Sequence, residues 1–304
     1  MRGRFAPSPT GHLHLGNVRS ALLGWLHARS LGGEFWLRIE DLDPERSKPQ
    51  FIDSIRSDLE FLGLTWDGPV WKQSERQALY DDALERLGAA GLTFACSCSR
   101  ADIARAASAP HVGEEGPIYP GTCRAGPTAP GRPLAIRFRA RSGVTGFTDE
   151  VSGPFAHDVA QQVGDFLVRR ADGVASYQLA VVFDDAAAGM THVLRGADLL
   201  SSTPRQLLLF EALGAAAPHF AHVPLLMESA EKRLAKRDGA LTVHALRQAG
   251  VSAEKIIGLL AHWSGLSNGA PVKAHELIHD FALSKVSRAP VIVSAESLAT
   301  LGIR

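Results

Sequence analysis

The chain has 304 residues, 45% of them hydrophobic, and its 32 basic and 32 acidic side chains cancel to zero formal net charge. That length supports one sizeable core or two smaller ones, and the charge balance excludes a protein that coats nucleic acid through a global positive field. Any RNA contact has to come from local patches.

The three cysteines all lie between positions 96 and 123. An odd, clustered set argues against a disulfide scaffold and for a reducing compartment. The N-terminus MRGRFAPSPTG has no apolar signal core, and no run reaches the ~18 apolar residues that a membrane span needs. A soluble, cytoplasmic, monomeric protein without membrane association is expected.

Arg4 to Ala6 reads as the end of a short strand, and Pro7-Ser8-Pro9-Thr10-Gly11 then forces a loop. A helix follows with Leu15, Val18, Leu22, Trp25 and Leu26 on one face, ended by Gly32-Gly33. Glu34 to Asp41 is a second strand. The next helix carries Phe51, Ile52, Ile55, Leu59 and Leu62, with Gly63 as its stop. Ser74-Glu75-Arg76-Gln77 fits a capping box, and Leu79, Tyr80, Ala83, Leu84 and Leu87 continue that helix. Strand, helix, strand, helix in this order predicts a parallel α/β sheet.

The pattern breaks at residues 96 to 133, which are rich in Ala, Gly, Pro and Ser and hold every cysteine. An inserted, loop-rich subdomain that needs a staple is expected there. Regular structure returns at Leu134 to Phe138 and Val163 to Arg169. Ser176 to Asp185 predicts a helix, Thr191 to Leu194 a strand, and Thr203 to Leu213 an amphipathic helix. From Thr242 onward the pattern is helical, over Val243 to Ala249, Ala253 to Trp263 and Lys273 to Phe281.

Three constellations carry chemistry. Ser8 to Asn17 (SPTGHLHLGN) lies at a strand-to-helix turn, where backbone N–H groups and the positive helix end suit a triphosphate. Gly16 allows close approach of a nucleotide, and His14 can donate to phosphate oxygens. An ordinary turn with surface histidines would also fit this segment. Glu231 to Gly239 (EKRLAKRDG) places four cations in six positions beside a glycine, a loop able to close on a leaving pyrophosphate, or a solvated charged turn. Cys96-Ser97-Cys98 and Cys123 offer three thiolates for a tetrahedral zinc, and composition leaves His111, Asp102 and Tyr119 as candidates for the fourth ligand.

Taken together, these segments resemble the class I glutamyl-tRNA synthetase family over roughly residues 2 to 245. His14-Leu15-Gly16-Asn17 is similar to that family's HIGH signature and Arg233-Leu234-Ala235-Lys236-Arg237 to its KMSKS signature. Three further blocks keep the family order: Arg4 to Ser8, Arg38 to Asp43 (RIEDLD) and Arg195 to Leu200 (RGADLL). The resemblance implies a class I, Rossmann-type catalytic domain with a zinc-containing insertion and a short C-terminal helical region. It divides the chain into 1–90, the first half of the catalytic domain; 91–165, the zinc-binding insertion; 166–241, the second half; and 242–304, the helical region without an anticodon-binding domain.

The resemblance also implies roles. Arg4 and Arg195 would hold the side-chain carboxylate of L-glutamate, with a bidentate pair at Arg195. Glu40 would take the α-amino group and Tyr177 a hydrogen bond, with Phe5, Ala6, Pro7 and Ser8 lining the same site. His14, Gly16, Asn17, Arg233, Leu234 and Lys236 would serve Mg-bound ATP, with His14 and Lys236 catalytic. Zinc would be held by Cys96, Cys98, Tyr119 and Cys123, as in the family's short paralogue.

Two features point to that paralogue, which glutamylates queuosine in tRNA(Asp). Roughly 60 residues follow the basic segment, too few for a pair of anticodon-reading domains. Val181 stands where the ordinary family members carry asparagine. The alternatives are a truncated synthetase charging the tRNA acceptor end and a non-catalytic protein that retains the adenylate pocket.

Overall fold

The computed structural model describes residues 1–106, 117–229, 234 and 241–302. Arg2–Phe5 (β1) runs parallel to Glu34–Ile39 (β2), which pairs on its other side with Trp71–Lys72 (β3). The crossovers are the helices Leu15–Ser30 (α1) and Pro49–Phe61 (α2), as a parallel sheet requires. Phe35, Leu37 and Ile39 alternate into the core of β2 and meet Leu22, Leu23 and Leu26 of α1. Gly63, at φ +73°, ends α2 as its position predicts.

A helix Gln77–Ala89 (α3) leads to an antiparallel sheet in the order Thr93–Cys96 (β4), Ala135–Phe138 (β5) and Phe166–Arg169 (β8). Between β4 and β5 lies the short helix Arg100–Ala106 (α4). Between β5 and β8 stand the hairpin Val144–Asp149 (β6) and Gly153–Asp158 (β7) and the single turn Val159–Gln162 (α5). The chain then returns to parallel structure through Tyr177–Ala187 (α6), His192–Gly196 (β9), Thr203–Ala212 (α7) and His219–Val223 (β10). The Thr191 N–H donates to the Arg2 carbonyl at 2.9 Å, which places β9 and β10 beside β1.

Leu226–Met227 (β11) pairs in parallel with Val291–Ile292 (β12), and around them pack Val243–Gln248 (α8), Ala253–Trp263 (α9) and Ala295–Ala299 (α10). Among the described residues no helix is long and apolar enough to cross a membrane.

Three sequence expectations change. The capping box at Ser74 does not form: the Ser74 N–H and hydroxyl both donate to Asp41, at 2.8 and 2.7 Å, and a 3-10 turn over Gln73–Arg76 precedes α3. The helix expected over 273 to 281 is one 3-10 turn, Ala274–Leu277, which packs against α1. The one-faced reading of α1 is too narrow. Both sheet and C-terminal helices cover it, so even Arg19 is buried, where burial lowers its pKa to about 10. Its guanidinium donates to the Pro224 carbonyl (2.5 Å) and Ser264 (2.9 Å), tying α1 to the ends of β10 and α9.

A close backbone contact onto α9 is at Gly258, where an added Cβ would stand 2.2 Å from the Ala270 carbonyl oxygen. Helix propensity favours alanine by about 1 kcal/mol, whereas overpacking costs roughly 1–3 kcal/mol. Gly258→Ala is therefore expected to lower Tm; an unchanged or raised midpoint in a thermal melt contradicts this packing.

Candidate active site

β1, β2, β9 and β10 all end on the same side, and a cleft of about 670 Å³ opens beyond their carboxyl ends. This is where open parallel sheets bind ligands, since diverging loops leave a crevice there. Its walls include Arg4, Phe5, Ala6, Pro7 and Ser8 after β1, Glu40 after β2, Tyr177 at the start of α6, and Arg195 at the end of β9. His14, Gly16, Asn17 and Leu234 line the same space. Arg233, Ala235, Lys236 and Arg237 lie outside the described residues. Leu234 itself is held by its N–H to the Leu226 carbonyl at 3.0 Å.

The loop after β1 is pinned by backbone bonds: the Glu40 N–H donates to the Pro7 carbonyl (3.0 Å) and the Lys48 N–H to Pro9 (3.1 Å). His14 caps α1, its Nδ1 accepting the Asn17 N–H at 3.2 Å, so the neutral ring carries its proton on Nε2. Gly16 has a local reason beyond ligand approach: a Cβ there would meet the His14 ring at 2.9 Å.

The charged floor of the cleft is a network. Asp185 of α6 accepts from Arg4 Nε (3.1 Å) and Nη2 (3.4 Å) and from Arg38 Nη1 (2.6 Å). Arg38 Nη2 continues to Glu40 at 3.1 Å. Burial opposes ionisation of Asp185, but the Arg38 and Arg4 charges outweigh it and hold its pKa below the usual carboxylate range. Glu40 has the opposite balance: burial pushes it up, against Arg38 and Arg4. An ammonium beside Glu40 would favour its ionised form. Asp184 is consumed on the far side by Tyr80 (2.9 Å), Arg76 (2.8 Å) and Gln73 (3.1 Å). Val181, one turn beyond Tyr177, is buried in the inner face of α6.

Arg195 corrects the bidentate expectation. Its Nε donates to His222 Nε2 at 2.9 Å, and its Nη2 to Thr203 (2.9 Å) and Gln206 (2.8 Å). Nη1 is buried with no protein partner, so one nitrogen of the guanidinium remains for a ligand in the cleft. Sequence reasoning missed Asp185, His222, Thr203 and Gln206. The only signal was the acidic pair at 184–185 within a helix otherwise apolar on its inner side.

The second site sits at the end of β4. The sulfurs of Cys96, Cys98 and Cys123 lie within 4.8 Å of one another, and the Tyr119 hydroxyl is 3.5 Å from Cys96 Sγ. Asp102 is excluded from this set by its bonds to Ser99, Arg105 and Arg132, and His111 lies outside the described residues. Burial opposes the Cys123 thiolate, but hydrogen bonds from Ser97 and Thr128 bring its pKa down to about 5. Arg137 donates to Cys96 Sγ at 3.3 Å and lies over the Tyr119 ring at 3.9 Å, a cation beside four groups that would coordinate as anions. Three thiols and a phenol converging at this spacing fit a tetrahedral zinc.

Residues 1–300 match the family model for the catalytic domain of class I tRNA synthetases of the E and Q type. The glutamyl-Q tRNA(Asp) synthetase of Symbiobacterium thermophilum is 51% identical, with 98% of each chain covered. The chain belongs to this family. Another glutamyl-Q tRNA(Asp) synthetase, from Deinococcus radiodurans, is 50% identical over 86% of this chain and 90% of its own. A glutamate–tRNA ligase from Oleidesulfovibrio alaskensis is 43% identical over 97% of this chain but only 64% of its own. Among solved structures, a glutamate tRNA ligase from Elizabethkingia meningosepticum in complex with its amino acid superposes with TM-score 0.84 at 29% identity, over 99% of this chain and 68% of that one. As a member of the family, the chain is a ligase with a class I catalytic fold.

Two measurements check the sites. Arg195→Ala is expected to weaken glutamate binding roughly ten- to a hundredfold, the range for a lost charged hydrogen bond, while ATP binding holds in calorimetry. Equal loss for both ligands would assign Arg195 a purely structural role. Purified protein is expected to carry about one zinc per chain, lost in a Cys96→Ser/Cys98→Ser double variant and weakened but retained in Tyr119→Phe. A metal-free native protein removes the site.

Proposed function

We propose that this protein uses ATP to convert L-glutamate to glutamyl-adenylate without tRNA and then transfers the glutamyl group to the queuosine base of tRNA(Asp). The observation that carries the first half is the meeting of Arg4, Arg195, Glu40 and Tyr177 with the N-terminus of α1 in one cleft. A diacid with one ammonium needs cations for its carboxylate and an anion for its amine, and this floor presents both. The positive end of α1 and the Nε2–H of His14 suit the ATP phosphates, whose Mg ion enters with the nucleotide.

The glutamate α-carboxylate attacks the α-phosphorus, the bond to the β-phosphate oxygen breaks, and Mg-pyrophosphate leaves. No side-chain nucleophile is needed; the chain positions the reactants and stabilises charge. Arg233 and Lys236, sequence neighbours of Leu234, are assigned to the departing pyrophosphate. A hydroxyl of the queuosine cyclopentenediol then attacks the glutamyl carbonyl, losing its proton as AMP departs.

The near-complete match to glutamyl-Q tRNA(Asp) synthetases, against partial coverage of a glutamate–tRNA ligase, supports queuosine over the tRNA 3′ end as acceptor. Residues 1–90 and 166–241 are assigned to the two halves of the catalytic domain and 242–304 to a helical appendage. Residues 91–165 form the insertion, where zinc on Cys96, Cys98, Tyr119 and Cys123 supplies order that the local apolar side chains do not.

Glutamate-dependent ATP–pyrophosphate exchange is expected with the protein alone, and exchange that appears only after tRNA is added defeats the tRNA-independent step. Mass spectrometry of tRNA(Asp) nucleosides after incubation with glutamate and ATP is expected to find glutamyl-queuosine. Glutamate on the 3′-terminal adenosine instead would select the acceptor-end reading.

A further inference from the structure

Arg195 is, among the described arginines of the cleft, the one that donates to a histidine. His222, on β10, is fully buried beneath it. Its Nδ1 lies 2.6 Å from Asp149 Oδ2, and Asp149 also accepts the His222 backbone N–H. Asp149 closes the strand β6 and is equally buried. It further accepts the N–H groups of Val151 (3.0 Å) and Ser152 (2.7 Å). A carboxylate with this many donors has no proton to give, so Nδ1 must carry the hydrogen. That leaves His222 Nε2 as a lone pair, and Arg195 Nε–H donates into it at 2.9 Å.

We propose that His222 is a positioning residue for amino-acid recognition: Asp149 fixes its tautomer, and its Nε2 lone pair holds Arg195 so that Nη1 alone faces the cleft. The inference rests on the assignment of Arg195 to the substrate's side-chain carboxylate. A histidine is suited to the task for two reasons. As a neutral acceptor it orients the guanidinium without neutralising it, whereas a carboxylate at that place would compete with the substrate for its charge. Thr203 and Gln206 hold the Nη2 side in the same neutral manner. These three side-chain partners of Arg195 are thus uncharged groups or an imidazole tied off by Asp149, and the full positive charge is kept for the ligand. Arg4, by contrast, is paired with Asp185 and offers a partly compensated cation. Selection of glutamate over the isosteric but neutral glutamine then falls mainly to Arg195, and through it to His222 and Asp149.

The two faces of the ring can be tested separately. In His222→Asn the amide nitrogen takes the place of Nδ1 and keeps the bond to Asp149, but no acceptor reaches Arg195. In His222→Gln the side-chain oxygen can take the place of Nε2 and keep the acceptor, while the Asp149 bond is lost. Glutamate KM in ATP–pyrophosphate exchange is expected to rise roughly ten- to a hundredfold in His222→Asn, with the ATP KM and kcat changed by less than about threefold. His222→Gln is expected to recover most of that loss, and the preference for glutamate over glutamine should fall in the Asn variant only. A histidine that merely anchors the β6–β7 hairpin would give the reverse order, and that order overturns the proposal.

Arg195→Ala is measured beside them. If it leaves glutamate KM unchanged, the assignment of Arg195 fails and takes the inference with it. If it raises KM while His222→Asn does not, the positioning role alone is wrong. Ring ¹⁵N NMR of the wild-type protein at neutral pH supplies a reading that needs no variant: Nδ1 protonated and Nε2 bare is expected, and the opposite tautomer overturns the proposal.

Discussion

Asp185 is the point on which the cleft depends. It joins three segments distant in the chain: Arg4 from β1, Arg38 from β2 and its own helix α6, with Glu40 reached through Arg38. All of these side chains are buried or nearly so. Buried ion pairs add little net stability, since desolvation offsets their attraction, but removing one partner strands a charge at a cost of about 3–5 kcal/mol. The network therefore acts as a geometric constraint. It holds two cations and a carboxylate at fixed spacing on the floor of a cleft that the parallel sheet places there for topological reasons.

A second constraint comes from outside the parallel sheet. The β6–β7 hairpin carries few features that a strand reading would single out, yet it ends on Asp149, which reaches under β10 to His222 and so to Arg195. Residues between β4 and β8 thus contribute to the cleft as well as to the sulfur cluster. Arg137 on β5 ties this region together: it bonds to Cys96, covers Tyr119 and donates to the Asp165 carbonyl. Cations recur in this protein as buried connectors. Arg19, Arg38, Arg137 and Arg195 all sit inside, each using several of its five donors at once.

Much of this was legible beforehand. The apolar patterning located α1, α2, α6, α7 and α9 and the strands β1, β2 and β9, because each carries regularly spaced apolar residues. The candidate site residues Arg4 to Ser8, His14, Gly16, Asn17, Glu40, Tyr177 and Arg195 do line one cleft. The β6–β7 hairpin and β10 went unread: β10 is His219-Phe220-Ala221-His222-Val223, whose histidines look polar but include one at full burial. Periodicity has no term for a histidine made apolar by a dedicated carboxylate.

The sequence by itself determined the family resemblance, the α/β alternation, the candidate sulfur ligands and a set of arginines and carboxylates that line one cleft, because residue type and order are enough to specify chemistry and local period. Only the tertiary structure decided how those groups share their bonds: that Arg195 offers one nitrogen rather than two, that Arg4 is already paired with Asp185, and that Ser74 binds Asp41 in place of capping a helix. Each outcome turns on partners between 8 and 181 positions away in the chain, or on competition among donors for one acceptor. Such competition is settled by packing and burial, which no local pattern encodes.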